Sequence, residues 1–213
     1  MKILNLYACL VGNRAEWGDE HEITAIELDP ELARMYKQRF KNDIVIVGDA
    51  HDFLLKNYMN YDIIWSSPPC PSHSRARNYN TTYDAIYADM SLYQEIILLE
   101  TRFNGKYIVE NVIPYYTPLI PAQKRGRHLY WCNFVLPNDL GCRKLLQSFG
   151  NATNELKMLC DFHKIDLSSY KGEQSKVKIA RNLVDYEAGK TILNTALGIL
   201  QKSNISQQTL QLL

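Results

Sequence analysis

The sequence predicts a doubly wound α/β domain with a largely parallel sheet, and three observations carry that prediction. Short apolar, β-branched runs alternate with segments of helical apolar spacing. Gly, Pro and Asp punctuate the junctions. Polar groups recur at the carboxyl end of one run after another, the edge at which open α/β sheets bind ligands.

The elements follow in order. ILNLYA (3–8) is a strand that ends at a loop containing Gly12. EITAIELD (22–29) is the second strand and meets DPELARMYKQRF, where Asp29 can cap a helix and Pro30 suits its first position. DIVIVGD (43–49) is a third strand, stopped at Gly48, and AHDFLLKNYM a short helix. YDIIWSS (61–67) is a fourth strand, stopped by Pro68-Pro69. Residues 89–103 carry helical spacing, KYIVENV (106–112) is a fifth strand and RHLYWCNFVL (127–136) a sixth. From 137 to 176 the pattern dissolves into polar, poorly periodic sequence, and 185–200 resumes a helical period. This divides the chain into a principal domain, 1–136 and 177–201, a small insertion, 137–176, and a tail, 202–213, without internal repeats.

A length of 213 residues fits one such domain, and 46% hydrophobic against 22% charged residues supplies a genuine core. Five dispersed cysteines without a CxxC pair point to free thiols in a reducing interior. Cys160 and His163 have a ligand-like spacing but no partner pair, so no metal is expected. The opening apolar run is broken by Asn5 and followed by Arg14, Glu16 and Asp19, which is unlike a secretory leader. No stretch approaches the ~20 apolar residues that span a bilayer, so the expected setting is the cytoplasm. A net charge of +1 decides nothing about nucleic acid, but PSHSRARNYN (71–80) and QKRGRH (123–128) are basic and free of acids.

The strand ends supply the candidate chemistry. Glu27 after the second strand is placed to accept from ribose hydroxyls, and Asp49 after the third from an adenine amine. The plainer reading makes Asp29 a helix cap and Asp49 a turn residue. The loop after the first strand has only Gly12 to permit close approach of a ligand. In SSPPC, two prolines fix the backbone and present Cys70 rigidly, although a lone cysteine there could equally be a small buried thiol. Glu110, ending the next strand, can share one pocket with Cys70. Gln123, Arg125 and Arg127 alternate and would point to one side if extended. A thiol, a carboxyl group and a guanidinium converging on one pocket are the parts needed to attack an electron-poor pyrimidine.

LYACLVGNR, AIELDP, VGDA, SSPPC, ENV, QKRGR and RNLV, in that order, resemble the cytosine carbon-5 DNA methyltransferase family. The compact length is similar to short phage or bacterial orphan enzymes, with restriction-modification one possible setting. The resemblance implies a Rossmann-like S-adenosylmethionine-dependent methyltransferase fold in which 137–176 is a small target-recognition region. It implies that Cys70 attacks carbon-6 of a cytosine flipped from double-stranded DNA, that Glu110 holds and protonates the ring nitrogen, and that Arg127 contacts the base carbonyl. S-adenosylmethionine would be held by Tyr7, Ala8, Gly12, Glu27, Leu28, Asp49, Ala50, Pro68 and Asn182. Arg75, Arg77, Asn111, Gln123 and Arg125 would face the DNA, with the loop from Pro71 to about Ala88 closing over it. A monomer without obligate protein partners is expected. The sequence departs from the family at Cys9 and Val11, where glycines are usual, and at Asn5, where an acid is usual. Two rival readings stay open: a tRNA cytosine-5 methyltransferase, and a catalytically idle DNA-binding homologue.

Overall fold

The computed structural model describes residues 1–10, 12–79, 84–143 and 152–199. Val11, part of the 71–88 loop, part of the 137–176 insertion and the 202–213 tail lie outside them. Seven strands form one mixed sheet: β1 (Lys2–Leu6), β2 (Glu22–Glu27), β3 (Ile44–Val47), β4 (Ile63–Ser66), β5 (Lys106–Val112), β6 (Gln123–Arg125) and β7 (His128–Cys132), in the order β3-β2-β1-β4-β5-β7-β6. The first five are parallel, and β7 runs antiparallel to β5 and to β6. The expected largely parallel, doubly wound sheet is therefore present, with an antiparallel hairpin added at one edge.

The helices are α1 (Pro30–Arg39), α2 (Ala50–Asn57), α3 (Ala76–Tyr79), α4 (Ser91–Arg102), α5 (Ala152–His163), α6 (Lys176–Arg181) and α7 (Tyr186–Ala196). Capping explains several starts: Asp29 accepts from Glu31 N and Leu32 N, Asp49 from Asp52 N, and Asp185 from Glu187 N and Ala188 N. The central strands are covered on both faces, which is why they read as unbroken apolar runs. Leu4, Leu6, Ile64 and Val109 pack with α2 and α4 on one side. Ile3, Ile63, Trp65 and Ile108 pack with Trp17 and α7 on the other. Gly189 lets α7 approach closely, because a Cβ there would lie 2.5 Å from the Asn13 carbonyl oxygen. Among the described residues no helix is long and apolar enough to cross a membrane.

Two expectations are corrected. The stretch 137–176 is not patternless, since it contains α5 and leads into α6. Leu159, Leu167 and Tyr170 bury against Leu10 of the first loop and Leu32 of α1, so this region packs on the domain. Nor do Gln123, Arg125 and Arg127 lie on one extended strand. Gly126, at φ 56°, turns the chain back, which leaves Arg127 in a two-residue hairpin turn beyond Arg125.

Candidate active site

The parallel register brings the carboxyl ends of β1, β2, β3, β4 and β5 to one edge. Because β7 starts opposite Val112, the turn carrying Arg127 lies at that edge as well.

Cys70 stands half-buried at the start of a tight turn, its carbonyl accepting from His73 N and Ser74 N at 3.0 Å each. The turn is held from below by Asn111, whose Nδ2 donates to the Pro68 carbonyl (3.0 Å) and whose Oδ1 accepts from Val112 N (2.9 Å). Asn111 is buried and fixes the diproline segment. Burial raises the Cys70 thiol above its ordinary range, the Glu110 carboxylate adds to that, and Lys178 of α6 opposes it. Glu110 is itself buried, with His128 Nε2 3.5 Å from its Oε1. Neither Lys178 nor His128 stood out in the sequence. Each belongs to an element whose path into the site is set by tertiary packing.

This geometry makes the reactivity of Cys70 testable without substrate. Alkylation of Cys70 by iodoacetamide, read from its own peptide by mass spectrometry, is expected to be slow at pH 7 and to rise through a midpoint above the ordinary thiol value of about 8.5. Glu110→Gln removes a like charge, so the midpoint should move down and alkylation at pH 8 should speed up. A midpoint indifferent to that substitution would remove Glu110 from the neighbourhood of the thiol.

On the other half of the edge, Glu27 is 8% exposed and accepts from Cys9 N (2.8 Å) and Asp29 N (2.9 Å). Burial raises its pKa, and the two backbone donors pull the other way. Leu28 beside it is exposed, whereas Ala8 and Ala50 are buried. Tyr7 and Cys9 both have positive φ, 56° and 49°. That is a conformation glycine adopts without strain, which gives the departure at Cys9 a physical meaning. Burial first, and Glu27 second, push the Cys9 thiol up to about 12, so it is a packing group in the loop. Asn5, the other departure, is buried and accepts from Asn13 Nδ2 (2.8 Å). Gly12 is required by the chain itself, since a Cβ there would meet Val184 N at 2.8 Å. Asn182 caps α6 at an exposed position two residues before that contact.

Glu95 carries no signature in the sequence. This buried carboxylate on α4 accepts from Tyr7 Oη and from Ser66 Oγ, each at 2.6 Å, and lies 3.0 Å from His51 Nδ1. Its hydrogen bond raises the His51 pKa against partial burial. Glu95 thereby ties the β1 loop, the start of α2 and the last residue of β4 into one piece. A single acid amid an apolar helix leaves no sequence pattern; three donors converging on it are visible only in the fold.

The basic candidates separate. Arg77 is held to its own loop, donating to the Asp84 carbonyl. Arg75 is exposed. Gln123 bridges Phe134 O (2.7 Å) and Leu136 N (2.8 Å), and Arg125 donates to Leu136 O and Pro137 O, each at 2.6 Å. Both therefore clasp the chain leaving β7 and are only partly exposed. Arg127 is exposed.

The site therefore sits on a Rossmann-like sheet with an antiparallel last hairpin, the fold expected from the sequence, with acids at the ends of β2 and β5 and a thiol after β4. Residues 1–114 match the profile of C-5 cytosine-specific DNA methylases, and the chain belongs to that family. No curated protein matches the sequence. Among solved structures, a putative methyltransferase, yhhF, from Escherichia coli is similar at 18% identity and a TM-score of 0.40, over 62% of this chain and 73% of that one. A DNMT2 mutant from Spodoptera frugiperda is similar at 28% identity and a TM-score of 0.37, over 52% of this chain and 35% of that one. The methyltransferase EhMeth from Entamoeba histolytica is similar at 9% identity and a TM-score of 0.49, over 95% and 99% of the two chains.

Proposed function

We propose that this protein transfers a methyl group from S-adenosylmethionine to carbon-5 of a cytosine in DNA, through a covalent adduct on Cys70. The observation that carries the reading is that Cys70 follows β4 and Glu110 lies near the end of β5, the adjacent parallel strand, at the same sheet edge.

The donor-side residues fit an adenosine-bearing ligand. Glu27 and Asp49 end neighbouring strands, and an ionised carboxylate keeps acceptor capacity beyond the backbone bonds these two make. Glu27 would hold the ribose and Asp49 the adenine amine, with Tyr7, Ala8, Gly12, Leu28, Ala50, Pro68 and Asn182 around them. Once bound, S-adenosylmethionine supplies an electrophilic methyl group.

The chain's own residues account for the activation of the base. Cys70, as thiolate, adds to carbon-6 of a cytosine turned out of its stack. Glu110 in protonated form donates to the ring nitrogen, so the electron pair displaced from the 5,6 double bond is not left as a bare anion. Arg127 would steady the base carbonyl. Loss of the carbon-5 proton to a base then restores the double bond and expels Cys70.

The test is incubation of the protein with methyl-labelled S-adenosylmethionine and, separately, duplex DNA and tRNA. Label in DNA at 5-methylcytosine is the expected result. Label in tRNA alone would overturn the DNA assignment, and label in neither, with no S-adenosylhomocysteine bound at millimolar concentration, would leave the idle homologue.

A further inference from the structure

Beside the Cys70 turn lies an open cleft of about 480 Å³, lined by Arg75 and by the residues 113–118 that follow β5. Its volume falls within the roughly 300–1,000 Å³ of small-molecule sites. The two walls are fastened together. Ser74 and Pro114 form an isolated β-bridge, Tyr115 N donates to the His73 carbonyl (3.0 Å), and His73 Nδ1 lies 2.6 Å from Tyr116 Oη. Tyr115 and Tyr116 meet edge-on, with ring centroids 5.1 Å apart. Tyr116 is thereby braced from two sides and in turn braces Tyr115, which is 37% exposed. Among the described residues no acid lines the cleft and Arg75 makes no hydrogen bond or ion pair.

We infer that this cleft is a nucleotide subsite, taking a neighbour of the target nucleotide in the same strand with its phosphate on Arg75 and its base stacked on Tyr115. The chemistry is that of single-strand platforms, an aromatic face for the base and a free cation for the backbone. Its place follows from the turn at Cys70, which puts Arg75 five residues beyond the nucleophile on a wall tied to the segment after Glu110. A strand whose target base enters the pocket runs along this cleft as it leaves. The two anchors are unequal. The ring selects any unstacked base, and the guanidinium selects only charge, so the subsite adds affinity for a strand opened on one side of its target more than it adds sequence preference. The inference rests on the reading of Cys70 as the residue that engages a nucleobase.

The experiment measures anisotropy of a dye-labelled single-stranded oligodeoxynucleotide of mixed sequence with the full chain at several salt concentrations. Photo-cross-linking of the same oligonucleotide carrying 5-iododeoxyuridine, followed by mass spectrometry of the peptide, accompanies it. Tyr115→Ala is expected to weaken binding about tenfold, Tyr115→Trp to retain it, and cross-links to fall on residues 113–118. Arg75→Ala should weaken binding and reduce the salt slope by about 1. Both side chains are exposed, and an unchanged melting temperature would show that the variants fold. Wild-type affinity in both alanine variants, or cross-links confined elsewhere, overturns the subsite even if Cys70-dependent methyl transfer is found. Weakened binding with mapped cross-links supports it even if no methyl transfer is detected, so the two readings fail separately.

Discussion

Replacing Cys70 by serine is expected to lower methyl transfer by a factor on the order of 10⁴ or more, as removal of a covalent nucleophile does. Serine keeps the size of the side chain and the turn, because the contacts that hold that turn run through the Cys70 carbonyl and the Pro68 carbonyl, not through sulfur. Only nucleophilicity is lost, since a hydroxyl is not ionised near neutral pH. DNA carrying 5-fluorocytosine supplies the complementary result. After methyl transfer, carbon-5 of that base bears fluorine where a proton must leave, so elimination stops and the protein stays linked to the strand through Cys70. An adduct that survives denaturing electrophoresis is expected for the wild type and not for Cys70→Ser. Retention of a tenth or more of the activity by a folded Cys70→Ser protein would end the covalent mechanism.

The largest expected loss of stability lies at a pair remote from the thiol. Arg14 and Asp43 are 3% and 2% exposed and meet through two contacts, Nε to Oδ2 at 2.8 Å and Nη2 to Oδ1 at 3.0 Å. Tyr36 Oη donates to the same carboxylate (2.8 Å), and the guanidinium lies over the Phe40 ring at 4.5 Å. Asp43→Ala leaves the buried Arg14 cation with only the solvent-exposed Asp19, 3.2 Å from its Nη2, as counter-charge, which costs about 3–5 kcal/mol. For a chain of this size that corresponds to a fall in Tm of roughly 6–20 °C. The cost arises from the orphaned charge more than from the lost bond, so adding Arg14→Met should recover part of it. Arg14 lies in the 3-10 turn Asn13–Glu16, just beyond the β1 loop. The pair therefore anchors that loop to α1 and to the start of β3, and S-adenosylhomocysteine binding should weaken in Asp43→Ala before the whole domain melts. A fall in Tm of less than about 2 °C, measured by calorimetry, would show that water reaches the pair after all.

Several features were legible in advance because they depend on residues near one another in the chain. The alternation that makes strands, Asp29 with Pro30 as a helix start, and the stiff Pro68-Pro69 before Cys70 are local facts. The order of polar groups at successive strand ends then follows from the handedness of βαβ crossovers, which brings all those ends to one edge. Gly12 was legible as a residue but not as a reason: it is needed where Val184, far along the chain, crosses it.

The insertion shows where local reading stops. Its apolar residues are too few to form a stripe alone and become one only against Leu10 and Leu32, to which the sequence assigns no partner. Tyr170 and Gln174 of that region both reach Asp29, at 2.6 and 3.0 Å, which puts them on the donor side of the sheet. Asn111, Gln123 and Arg125 illustrate the converse. Their types suit substrate contact, yet the fold presents each with backbone groups that would otherwise be left unpaired.

Strand periodicity and turn residues act over a few positions, so the sheet and the edge at which its polar strand ends gather were already legible in the sequence. Which polar side chains at that edge are already engaged is settled by packing between distant segments. Asn111, Gln123 and Arg125 hold backbone carbonyls, Glu95 gathers three side chains, and among the described residues Arg75 beside Tyr115 is left open. Whether a hydrogen-bonding group is free depends on which unsatisfied partners distant parts of the chain bring within about 3 Å of it.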